Sequence, residues 1–171
     1  MTNVASPFPD PAEMARLAEE LTDRLREHFP LEGERVRQAL ALAEEAGEFL
    51  AAYRRWTGRA RRTGTLEEVA AELADVLITT YVTARILGVR LPSVPEAPLD
   101  ANPDLPVSRL FRLAGLFLDG FVSHDERSAE TLLSAITAAA QDAAAAIGID
   151  LRTAVDTKVQ VLYARGWRDP R

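Results

Sequence analysis

Cysteine is absent from this chain, histidine appears only as His28 and His124, and Lys158 is the single lysine. The first absence removes disulfides, zinc–thiolate sites and thiol nucleophiles together. Neither histidine stands three residues after a glutamate, which excludes the Glu-x-x-His pattern of di-iron bundles and leaves little for a histidine base. Aromatics are scarce at 6% and glycines number nine. No apolar run approaches the ~20 residues that span a bilayer, and the N-terminus lacks a basic start followed by an apolar core. The expectation is a cytoplasmic protein with no membrane partner.

Alanine is abundant, apolar residues make up 47% of 171 and charged residues 27%, a composition that favours closely packed helices in one domain. The net charge of −6 argues against a nucleic-acid polymer as partner. Nineteen of the twenty basic residues are arginine, which reads first as a coding bias.

Residues 1–10, with Pro7 and Pro9, read as a flexible lead-in to a single all-α domain over 11–171. Asp10 is the expected N-cap of a first helix, with Pro11 at its first position and Glu13 completing a capping box. That helix ends at about His28, before Pro30. A second follows Gly33 and runs to about Trp56, its apolar arc expected at Val36, Leu40, Ala43, Gly47 and Leu50. Arg54, Arg55, Arg59, Arg61 and Arg62 form a basic turn. Thr65 and Glu68 open a third helix, which ends at Gly88. Five prolines within 92–106 mark a linker, expected to be exposed and readily nicked. A fourth helix is expected over 107–122, a fifth from a Ser123/Glu126 capping box to Gly148, and a sixth over 151–165. No period-two run persists, so no strands are expected.

The termini Ile86-Leu87-Gly88-Val89 and Ala146-Ile147-Gly148-Ile149 share one pattern, an apolar residue on either side of a left-handed glycine. They suggest a degenerate internal repeat folded as a pseudo-symmetric four-helix core. At a sixty-residue offset, Leu132 and Ala135 stand where Glu72 and Asp75 stand in the first half.

Chemistry concentrates in residues 35–91. At about 100° per residue, Glu45 and Glu48 share a face of the second helix, bordered by Ala41 and Ala52, and Glu72 and Asp75 repeat the spacing on the third. Folding these helices as a hairpin brings four carboxylates together. Such a group repels itself and resists desolvation unless a cation offsets it. A hard divalent ion with oxygen ligands, Mg²⁺ or Mn²⁺, does so.

Glu44-Glu45-Ala46-Gly47-Glu48, then 23 residues, then Glu72-Leu73-Ala74-Asp75, resembles the EExxE…ExxD signature of the MazG-like all-α nucleotide pyrophosphohydrolases. That superfamily includes the dimeric dUTPases, dCTP pyrophosphatases and phosphoribosyl-ATP pyrophosphatases. The resemblance implies a helical bundle, a homodimer, and Mg²⁺-dependent hydrolysis of a (deoxy)nucleoside triphosphate to monophosphate and pyrophosphate, a nucleotide-pool house-cleaning activity. It implies Glu45, Glu48, Glu72 and Asp75 as metal ligands, with Glu44 an outer ligand or base. The last helix resembles the family's KxxxNxxR arm at Lys158 and Arg165, which then bind phosphate; Leu162 stands in the asparagine's place. Trp56 is a candidate for stacking on the base, or a packing residue. Two other readings remain open: a non-catalytic helical interaction or regulatory module that kept the fold, and a di-iron protein, against which the histidines count.

Overall fold

Asp10 begins the first helix as a side-chain cap, its Oδ1 accepting from the amides of Ala12 (2.8 Å) and Glu13 (3.2 Å). The computed structural model of the protein describes residues 6–93, 102–123 and 128–165. These hold α1 (Pro11–His28), α2 (Glu34–Trp56), α3 (Leu66–Leu87), α4 (Asp104–Val122), α5 (Ala129–Ile147) and α6 (Leu151–Arg165), with no strand among them. The all-α expectation holds. No single helix in the described residues is long and apolar enough to cross a membrane.

Thr65 caps α3 as its sequence predicts, Oγ1 accepting from the Glu68 amide at 3.2 Å. The two glycine termini also match each other. Gly88 and Gly148 adopt φ of 71° and 85°, and the amides of Val89 and Ile149 donate back to the carbonyls of Ala84 (2.9 Å) and Ala144 (2.8 Å).

α2 and α3 pack as a hairpin, α4 and α5 as another, with α2 against α4 and α3 against α5. α1 and α6 both dock on α3. Arg35 over the Phe121 ring, and Tyr53 donating to Asp104 (2.5 Å), show that α2 and α4 run antiparallel. Arg59 joins the second contact, 2.7 Å from Asp104, and clasps the turn after α2 to the start of α4. One buried apolar cluster joins both hairpins through residues such as Phe49, Leu73, Val76, Leu110, Phe117, Leu133 and Ile136. Burial follows the sixty-residue offset: Leu73 and Leu133 are buried, as are Val76 and Ile136, while Glu72, Asp75, Leu132 and Ala135 are all half-buried. α5 thus repeats the burial pattern of α3 without its acids.

Three expectations need correction. α4 starts at Asp104 rather than 107, with Pro106 buried in its first turn; there a proline's missing N–H has no helical acceptor to lose. Of the expected linker, residues 94–101 lie outside the described residues. Ser123 closes α4 instead of opening α5, which follows Ser128 with no side-chain cap bond; Glu126 lies outside the described residues. On α2 the buried face is Ala39, Leu42, Ala46, Phe49 and Tyr53, whereas Val36 and Leu40 are more than half exposed. Small alanines face inward because α3 and α4 crowd that side, and larger aliphatics are left facing out.

Candidate metal centre

The hairpin of α2 and α3 sets its carboxylates side by side at mid-length. Glu45, Glu72 and Asp75 each present one carboxylate oxygen such that all three lie within 4.8 Å of one another, and all three residues are half-buried. Leu73, Ala74 and Val76 anchor the opposite face of α3 in the core, which aims Glu72 and Asp75 at the groove. Ala46 and Phe49 do the same for Glu45 on α2.

Burial dominates the electrostatics. It pushes the Glu45 carboxyl up to about 7, with the charges of Asp75, Glu48 and Glu72 adding to the effect. Glu72 and Asp75 are raised for the same first reason. For Asp75 the rise persists even though Lys158 is bound to it and favours its charge. Glu48 is exposed and outside the tight group, yet its charge raises all three of the others. Glu44 is exposed on α2 and does not join them.

Lys158, the only lysine, projects from α6 and forms an ion pair through Nζ with Asp75 Oδ2. Arg165, two turns further along α6, stabilises the Asp75 charge at longer range, and Arg55 at the end of α2 does so for Glu72. Arg55 also reaches Glu68 at 3.6 Å. Trp56 ends α2 roughly 12 Å along the axis from Glu48, and its ring is tilted against Tyr53 at 6.0 Å rather than set in the acid group. Leu162 is half-buried on α6.

Sequence spacing anticipates the meeting of Glu45, Glu72 and Asp75, but not the place of Glu48 outside it or the direct contact between Lys158 and Asp75. The one available signal was that a chain so rich in arginine keeps a single lysine. The donor set is oxygen only, anionic and clustered, which fits a hard divalent cation rather than a thiophilic or imidazole-seeking metal.

No curated protein and no solved structure matches the chain. A family model does: residues 13–100 match phosphoribosyl-ATP pyrophosphohydrolase, a span that contains every carboxylate of the group and stops short of Lys158 and Arg165. With just over half of its length matched, the chain belongs to the phosphoribosyl-ATP pyrophosphohydrolase family, within the MazG-like all-α superfamily, and is a hydrolase of the pyrophosphate linkage of nucleotides.

Proposed function

We propose that the protein is a Mg²⁺-dependent pyrophosphohydrolase of (deoxy)nucleoside triphosphates, releasing monophosphate and pyrophosphate as part of nucleotide-pool house-cleaning. The observation that supports this most is the convergence of Glu45, Glu72 and Asp75 oxygens within 4.8 Å on two helices. Glu45, Glu72 and Asp75 would hold the cation, with Glu48 as a further ligand from the exposed edge and Glu44 as an outer ligand or base. A bound divalent cation supplies water activation and charge neutralisation at the phosphates, with Mn²⁺ an alternative to Mg²⁺.

The chain's own residues complete the reaction. Lys158 and Arg165 lie on the substrate side of the acids and grip phosphate oxygens, Lys158 as a movable point charge and Arg165 as a planar fork. Half-burial of the carboxylates lowers the local dielectric, so each of these contacts counts for more than it would in water. The site is carried by 35–91 together with α6, and α4 and α5 serve as the structural half of one domain.

Product analysis tests the reading. Incubation of a labelled triphosphate with Mg²⁺ should yield monophosphate and pyrophosphate, and ¹⁸O from water in one of the two identifies the phosphorus attacked. Release of orthophosphate and diphosphate would overturn it. Glu72→Gln keeps the shape of the side chain but removes an anionic ligand, so turnover should fall by at least about a hundredfold with the helices intact by circular dichroism. Wild-type turnover by this variant would remove Glu72 from the site, whereas no turnover of any nucleotide by the wild type would favour the interaction-module reading.

A further inference from the structure

A cavity of about 290 Å³ lies between the first turns of α1 and the end of α3, and no side chain of the acid group or of α6 lines it. Tyr81, on its wall, stands six residues beyond Asp75, about 9 Å further along the α3 axis. The space equals that of about ten molecules of liquid water. Ala15, Ala18, Ala84 and Leu91 form apolar walls.

Its polar side chains are Tyr81, Arg85 and Arg90, and no carboxylate lines it. Tyr81 is 6% exposed, and its hydroxyl has no hydrogen-bond partner among the described residues. Arg152 Nε is the only described side-chain atom that is both sealed from solvent and unbonded. The phenol oxygen, unbonded too, is therefore open onto the cavity that its ring lines. A polar group left in this way calls for a partner. Burial and the charge of Asp10 hold the phenol protonated, so it can donate.

Two acids act near these donors, and both are engaged. Glu19 takes one Nη of Arg85 at 3.0 Å, whereas a guanidinium has five N–H groups to give. Asp10 accepts the amides of Ala12 and Glu13 at the start of α1. The carbonyls of Ala84 and Arg85 already take the amides of Val89 and Gly88. What remains is the phenol O–H, most of the Arg85 fork and the exposed Arg90. Donors around an apolar-walled space suit an anion that carries an apolar body, since a bare phosphate has nothing to set against the alanines.

We propose that this cavity is a second ligand site, independent of the pyrophosphohydrolase centre, that takes a small carboxylic acid with a compact apolar body. The carboxylate accepts from the Tyr81 hydroxyl and the two guanidiniums, and the body lies against Ala15, Ala18 and Ala84.

NMR titration of the full chain with benzoate, benzamide and acetate separates charge from shape. Benzoate should bind saturably in the millimolar range or below, about tenfold more tightly than neutral benzamide and more tightly than acetate, which lacks the ring. Tyr81→Phe removes only the unbonded oxygen, so benzoate affinity should fall by about tenfold or more with the thermal midpoint kept. Ala15→Phe, at an exposed position of α1, fills the space and should abolish binding, which keeps the test valid if Tyr81→Phe fails to fold. Lys158→Met should leave benzoate affinity unchanged, because Lys158 lies outside the cavity. No saturation at tens of millimolar, equal affinity for benzamide, or affinity that survives both folded variants would overturn the site. So would loss of benzoate binding in Lys158→Met, which would place the anion at the acid group instead.

Discussion

Glu45 sets the pH behaviour of the metal-free protein. Its carboxyl titrates at about 7 in the fold against an ordinary 4.5, so between those values the folded chain binds more protons than the unfolded one. Stability is then fullest below 4.5 and drains as pH rises through 7. Thermal melts without divalent ions should show a lower midpoint at pH 8 than at pH 6, and Glu45→Gln should flatten that slope. A midpoint that rises with pH in the wild type, or a fall that Glu45→Gln leaves in place, would contradict the assignment. Lys158 makes a different prediction. Its ammonium competes with any cation for Asp75, so Lys158→Met should raise the affinity of the nucleotide-free protein for Mn²⁺ several-fold, as read by calorimetry. The same change removes a phosphate contact, and kcat/KM should fall by about tenfold or more. Weaker Mn²⁺ binding in the variant would mean that the lysine builds the acid group rather than competing in it.

The helices differ in how plainly their sequences announce them. Side-chain caps at Asp10 and Thr65 and glycine stops at Gly88 and Gly148 are local devices that involve a few adjacent residues, which is why they were legible. Their cost is local too. Gly148→Ala forces a Cβ onto a left-handed residue at φ 85° and should lose about 1–2 kcal/mol, whereas Gly47→Ala, mid-helix with open space around the new methyl, should gain about 0.5–1 kcal/mol. Urea melts of the two variants check both signs. The start of α4 was misread because Pro103 and Pro106 look like breakers when only the first turn is at stake. The inward face of α2 was misread because Val36 and Leu40 outrank Ala39 and Ala46 in hydrophobicity, while neighbouring helices decide which side is covered. The carboxylates of the site were legible because i, i+3 spacing is itself local. Lys158 on Asp75 was not, since the approach depends on the corner at Gly148 that turns α6 back onto α3.

At the scale of the whole molecule, only the first of the two hairpins carries a set of clustered acids, so each chain has one such group among its described residues. The family resemblance implies a homodimer, and Val36 and Leu40 on α2 with Phe111 and Leu116 on α4 supply exposed apolar surface for it. Sedimentation at micromolar concentration should give a dimer, and Val36→Glu combined with Leu40→Glu should shift it toward monomer with the helical signal kept. A double variant that stays dimeric would place the contact elsewhere. The attachment of Lys158 to Asp75 also has a consequence in time. A ribosome completes the three acids at Asp75 and reaches the lysine only 83 residues later. At roughly 5–20 residues per second that gap lasts about 4–17 s, during which the emerging α2–α3 hairpin has like charges in close quarters and no ammonium to oppose them. Chains released before α6 is translated are therefore born with a carboxylate group that lacks the ammonium on Asp75 and leans the more on protons and dissolved cations.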